Sequence, residues 1–267
     1  MRVYTQPVKR STFTDAEKAI ETAAALGFLF KPEQKSGSNY VWTNQDQLNS
    51  RLDMNIISGH FSLTRQWQNN PALASMASFT SDKAVIMDTE NYLSRVGLLN
   101  SDIVGVEKVT YLKDDGGKLA VALSLSDADF VQLDLFRKNL DEVEVVASYP
   151  FYRGDPNKGL IRVIVSGSKN LSDKIINLSY GYNKIDYTKN GTYPIKTGEE
   201  AWAELESGSG FVYQGDSKAA EVKIRRVFLG YYDADVSTGY AMPVYIFLGD
   251  QGFTAYVSAV DESWIKK

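Results

Sequence analysis

The sequence predicts an α+β fold in which antiparallel meander sheets are each covered by a short helix. Three observations lead there. Residues 221–232, 240–249 and 253–260 are runs rich in Val, Ile, Tyr and Phe, separated by Asp, Gly and Ser clusters, as in an antiparallel meander. Helix starts precede strands three times, and two of them carry Thr-x-x-Glu with alanine close behind, at Thr14 to Glu17 and Thr197 to Glu200. A chain of 267 residues with 43% hydrophobic content can bury a sizeable core, as one large domain or two smaller ones.

The leader, residues 2–12, is polar with one proline and is expected to be extended or frayed. Thr14 and Glu17 then make an expected capping box, the threonine oxygen accepting from the third helical amide while the glutamate reaches back. Ala16, Ala19, Ile20, Ala23, Ala24 and Leu26 give the helix one broad apolar face, and Gly27 stops it. Strands are expected over 39–43 and 51–67, the second bent near Ser58 and Gly59. Within it Leu52, Met54 and Ile56 alternate with Asp53 and Asn55, so one face is buried. A loop at 68–71 closes the unit. Residues 1–76 are therefore read as an N-terminal helix-plus-meander domain.

Residues 77–267 are read as a larger α+β domain. Thr80 or Ser81 caps a helix carrying Val85, Leu93 and Val96 and ending at Gly97. Strands at 104–112 and 118–125 are joined by a hairpin signal at 113–117. More strands follow at 130–136, 143–149 and 160–166, with a long one at 175–187, and Asn190-Gly191 reads as a tight turn. Thr197 opens a third helix with Ala201, Trp202 and Leu205, which the glycines at 208 and 210 end. The recurrence reads as a helix-on-meander unit without a fixed period. An ordinary α+β chain with well-capped helices gives the same pattern.

Composition narrows the chemistry. Net charge is −4 with lysine and arginine scattered, so the basic stripe that draws on counterion release is missing and no nucleic-acid partner is expected. No apolar run approaches bilayer-spanning length and no signal-peptide core is present, so a soluble chain is expected. The absence of cysteine removes thiolate nucleophiles, Cys-ligated zinc and disulfides together. The single histidine, His60, cannot build a multi-histidine metal site, and beside Gly59 it reads as a loop residue. Neither a nucleophile elbow, a P-loop nor a dinucleotide fingerprint occurs, and the glycines of 207–210 follow a helix where a phosphate site must open one. Residues 233–239 imitate the start of a calcium loop, but the turn glycine comes one residue late and Val244 stands where a bidentate Glu is needed. No cofactor, no metal and no enzymatic activity are expected.

Two stretches stand out as contact surfaces. Tyr149, Phe151, Tyr152, Arg153 and Asp155 lie in one loop between strands, a set suited to stacking and hydrogen bonding with a sugar or peptide. Packing of the aromatics over a sheet edge, with residues 154–156 as the turn, accounts for the same residues. Tyr231 and Tyr232, running into the loop at 233–235, form the second patch. Acidic groups cluster at Asp141, Glu142 and Glu144 and at Glu199, Glu200 and Glu204, where Glu200 and Glu204 share a helix face.

The capped helix followed by a meander is similar to the PepSY-type module. Over the last seventy residues or so the chain further resembles the YycI/YycH family, on Val227-x-Leu-Gly-Tyr-Tyr232, Pro243-Val-Tyr-Ile-Phe247 and Tyr256-Val-Ser-Ala259. The resemblance implies an extracytoplasmic domain that restrains a cell-wall sensor kinase of a two-component system through protein contacts. It also implies an N-terminal membrane anchor, which is expected to lie outside these residues unless the chain is a soluble relative. The function expected is thus a non-catalytic protein-interaction domain of the bacterial cell envelope, whose partner is another envelope protein and whose only link to the membrane is that anchor; a cytoplasmic setting is the second option. The alternative is a carbohydrate-binding or glycan-hydrolysing protein using the aromatic loops and a carboxylate pair.

Overall fold

The computed structural model describes residues 1–75, 79–142, 147–215 and 221–264. In chain order the first elements are β1 (Arg2–Thr5), α1 (Asp15–Ala25), β2 (Glu33–Gln34), β3 (Asn39–Asn44), β4 (Ser50–Asn55), β5 (Phe61–Thr64), α2 (Ala72–Ser75) and α3 (Asp82–Arg95). Next come β6 (Ile103–Asp114), β7 (Leu119–Val121), β8 (Phe130–Arg137), β9 (Leu140–Glu142), β10 (Ala147–Tyr149), β11 (Phe151–Tyr152) and β12 (Ile161–Ser166). The chain continues through α4 (Leu171–Lys174), β13 (Ile175–Tyr180), β14 (Asp186–Thr192), α5 (Gly198–Glu206), β15 (Phe211–Tyr213), β16 (Ile224–Tyr232), β17 (Tyr240–Gly249) and β18 (Thr254–Ser258). The class is α+β, with sheets that are mostly antiparallel. Two compact units share the sequence: one holds residues 1–8, 138–158 and 183–267, the other residues 9–137 and 159–182.

The second unit is built on a nine-stranded antiparallel sheet in the order β2-β3-β4-β5-β13-β12-β8-β6-β7. It runs across the boundary expected at residue 76, because Leu63 of β5 pairs with Leu178 of β13. One face carries the main core: Ala19 and Ala23 of α1 and Val85 and Leu93 of α3 pack with Trp42, Leu52, Leu63, Leu133, Val163 and Leu178. The opposite face has its own cluster, in which Trp67, Leu73, Leu112, Phe130 and Ile176 meet. β8 is buried on both faces: Val131, Leu133 and Leu135 face the main core, while Phe130 and the polar Asp134 are buried on the other side.

The first unit holds a seven-stranded sheet. β17 is its spine: β16 pairs along one edge, while β18 and β1 share the other, β18 at residues 244–248 and β1 at Ala241 and Tyr240. The meander of β16, β17 and β18 is the one the sequence indicates. α5 packs over it, fully burying Ala201 against Phe247, Ala255 and Val257. A short hairpin of β9 and β10 is also present, and the expected strand residues 143–146, with Glu144, lie outside the described residues.

One expectation is narrowed and three are corrected. Of the two states expected for the leader, its start takes the extended one: β1 pairs with both β17 and β14, and Tyr4 is buried, because Val3 and Tyr4 are strand formers that find partners far along the chain. Thr14 makes no side-chain cap, since its backbone is already helical; Asp15 reaches back instead, accepting from Thr12 N and Oγ1 at 2.7 Å each. The long strand over 175–187 is two strands, β13 and β14, in different units. Asn190 and Gly191 lie inside β14 opposite Tyr4 and Val3, so pairing overrides their turn preference. The caps at Ser81 and Thr197 form as expected, the latter a complete capping box with Glu200.

Candidate functional site

The two aromatic stretches picked from the sequence meet. β11 runs parallel to β16, the one parallel pair among the described residues of a sheet expected to be antiparallel throughout, with Phe151 opposite Tyr231 and Tyr152 opposite Tyr232. Tyr231 N donates to Pro150 O and Asp233 N to Tyr152 O, both at 2.8 Å. Gly230 makes the approach possible: a Cβ there would sit 2.6 Å from Pro150 O and 2.5 Å from Ile246 Cδ1.

Alternation along the two strands then divides the side chains between two clusters. Tyr231 is fully buried, stacked on Phe151 with centroids 5.3 Å apart and edge-on to Tyr4 and Tyr149, and its hydroxyl donates to Arg2 O at 2.8 Å. Tyr152 and Tyr232 face the other way, into a group with Phe228, Phe211 and Tyr256. Burial pushes the phenols of Tyr152, Tyr232 and Tyr256 up. Arg153 is buried and ion-paired with the exposed Asp235, while its carbonyl accepts from Tyr256 Oη at 2.5 Å. Asp155 caps its own turn, accepting from Asn157 N at 2.9 Å. Six of the seven residues are thus engaged with one another or with neighbouring strands and loops, and Asp155 serves its own turn, in the packed arrangement that sequence offered as the second account of the loop.

The remaining sequence candidates are structural as well. Residues 233–239 are tied down, with Asp233 buried and Asn183 Nδ2 donating to Ala234 O at 2.9 Å. His60 sits in the β4–β5 turn, its amide donating to Ser58 Oγ. Glu200 serves its cap and Glu204 holds Lys196 Nζ at 2.5 Å. Hydrogen bonds from Thr12, Thr188, Thr197, Arg225 and Ser263 hold Asp15, Asp186, Glu200, Asp250 and Asp261 below the usual carboxylate range. That is the opposite of what a general acid needs. Among the described residues no three His, Cys, Asp or Glu side chains are grouped to hold a metal.

A concavity lies elsewhere, in the second unit. A cleft of about 430 Å³ opens between the segment leading into α1, the β4–β5 turn and the end of α3. Met54, Phe61, Leu98 and Tyr180 line its floor with Ile56 and Ile57. Tyr180 stacks on Phe61 at 5.2 Å and its hydroxyl accepts from Asn100 Nδ2, so the floor is rigid. The rim carries Lys9, Arg10 and Lys18 against the single carboxylate of Asp15. Lys9 Nζ donates to Ser58 O at 2.9 Å, and partial desolvation there pulls its pKa down. Arg10 and Lys18 are exposed and form no salt bridge among the described residues.

No protein-family model and no curated protein matches the sequence. Among solved structures the chain is loosely similar to the Bacillus megaterium YpeB C-terminal domain, with a TM-score of 0.37 and 11% identity over 94% of each chain. It is also similar to an uncharacterized protein from Eubacterium rectale, with a TM-score of 0.41 and 12% identity over 97% of this chain and 83% of that one. At these values neither neighbour carries an argument about what the chain does.

Sequence reasoning missed the cleft. Its signal was the basic pair Lys9-Arg10 in the leader, with Lys18 one helix face away, and neither was set against the apolar residues of β4 and β5 because only the fold brings them together.

Proposed function

We propose that this chain is a non-catalytic binding domain of the bacterial cell envelope, which acts by holding another envelope protein. The observation that carries the reading is the cleft beneath α1: a rigid apolar floor with cations on its rim is a docking surface, with a volume in the range of ligand sites. The aromatic strands β11 and β16, first candidates for that contact, support it indirectly by fixing the other unit. The extracytoplasmic setting and the regulatory role follow from the sequence resemblance to the YycI/YycH family. We read α1 with β3–β5, α3 with β6 and β8, and α5 with β16–β18 as diverged PepSY-like units, each a helix laid on a meander.

The glycan alternative draws on aromatics that pack against one another and on carboxylates of which Glu200 is committed to its helix cap and Glu204 to Lys196. The test is reconstitution. An envelope protein that co-enriches with the tagged chain is purified and titrated against it. Direct binding is expected. Failure of every enriched protein to bind, together with a glycan that raises the unfolding temperature, overturns the reading.

A further inference from the structure

We infer that the cleft beneath α1 takes an acidic peptide segment with interleaved apolar side chains. The inference rests on the binding-domain reading and names the chemistry of its contact. The cleft is the place where this acidic chain, −4 overall, presents three cations against one carboxylate. Asp15 is already satisfied by Thr12 and lies beside the cations without salt-bridging Arg10 or Lys18. Those two positive charges are therefore exposed at the cleft and free of salt bridges among the described residues.

The floor excludes a bare anion as the full ligand. Met54, Phe61 and Leu98 are buried, but Ile56 and Ile57 of the same floor are only half-buried, so an occupant gains by placing apolar groups there. A ligand that matches both features carries negative charge outside and apolar groups inside, at side-chain spacing. A peptide with alternating acidic and apolar residues does so, because successive side chains of an extended strand point to opposite sides. An anionic membrane is the weaker fit, since these cations line a concavity and a bilayer needs a flat or convex contact surface.

The experiment uses the full chain and a fluorescent peptide of about twelve residues alternating glutamate with leucine and phenylalanine. Anisotropy is followed at about 50 and about 300 mM salt, where screening of exposed charges differs strongly. Binding that weakens with salt is expected, with at least about tenfold loss in the double variant Arg10→Glu/Lys18→Glu. Both residues are exposed, so the fold is retained; Ile57→Asp tests the floor and is expected to give a similar loss. Versions with lysine for glutamate, or serine for the apolar residues, are expected not to bind. No binding of the acidic peptide, or binding that both variants leave unchanged, overturns the inference. Phosphatidylglycerol vesicles bound more tightly than the peptide, or inorganic phosphate competing it away fully, overturn it in favour of a lipid or simple anion. If the reconstituted envelope partner binds while the peptide does not, this inference falls and the binding-domain reading stands.

Discussion

Asp134 is the sharpest test of how the nine-stranded sheet is held. It lies at 0% exposure in β8, flanked by β12 and β6, on the face opposite α1 and α3. One oxygen accepts from Gly159 N at 2.8 Å and from Arg162 Nε at 2.7 Å, and the other accepts from Gln132 Nε2 at 3.0 Å. The carboxylate thereby fastens the chain where it re-enters the sheet ahead of β12. Gly159 is confined there, since a Cβ would meet Leu135 O at 2.6 Å. Removing one side of a buried ion pair costs about 3–5 kcal/mol. The Arg162 side chain is 25% exposed, so water recovers part of that, and Asp134→Ala is placed at about 3 kcal/mol. Asp134→Asn keeps an oxygen for Gly159 N and is placed at about 1–2 kcal/mol. The assay is urea unfolding followed by tryptophan emission, because Trp42 and Trp67 are buried in this unit while Trp202 and Trp264 are already solvated. For a unit of this size about 3 kcal/mol also lowers the midpoint temperature by about 6–12 °C. An alanine variant within about 1 kcal/mol of the parent, or an asparagine variant as damaged as the alanine one, refutes the argument.

Thr197→Ala removes a formed capping box and is expected to cost about 1 kcal/mol, whereas Thr14→Ala, which removes no cap, stays within about 0.5 kcal/mol; equal losses on denaturant titration would contradict the assignment. Gly230→Ala forces a methyl against Pro150 O and Ile246, so thermal unfolding should show a loss of about 1–3 kcal/mol, and a neutral result would mean β11 does not sit where we place it. Burial raises the Tyr182 and Tyr256 phenols above the unfolded value of about 10, so the fold favours their neutral form. Their contribution is complete below that value and lost as pH rises above it, and a phenolate absorbance titration should show both ionising with unfolding. Tyr256→Phe should flatten part of that alkaline slope; an unchanged slope counts against it.

Elements specified by neighbours in sequence were legible and those specified by distant partners were not. The meander of β16, β17 and β18 was readable because each strand carries its own β-branched and aromatic run and its own turn. Thr197 and Glu200 announced a cap because both partners lie within one turn. Thr14 and Glu17 carry the same letters, yet Thr12 with Asp15 supplies a competing local bond that the pattern does not rank. β1 was invisible because four residues have no periodicity, and their pairing with Asn190, Gly191 and Ala241 is a fact of topology. The aromatic residues at 149–155 and 231–232 were read from the sequence as two separate patches; that they meet through β11 and β16 is again a fact of topology, and composition does not separate a stacking platform from a packed pair of strands. The cleft needed three segments at once: Lys9 and Arg10 from the leader, Lys18 from α1, and the apolar residues of β4 and its turn.

The claim on which the account turns is that a protein partner sits in that cleft, and in-cell photo-crosslinking tests it most directly. A photoreactive side chain at Ile57, on the floor, is compared with one at Val121, exposed on the edge strand β7. The account predicts one discrete adduct with an envelope protein from position 57, abolished by Arg10→Glu/Lys18→Glu, and none from position 121. Equal labelling from both positions, or an adduct from 57 that the charge reversals leave intact, would contradict it.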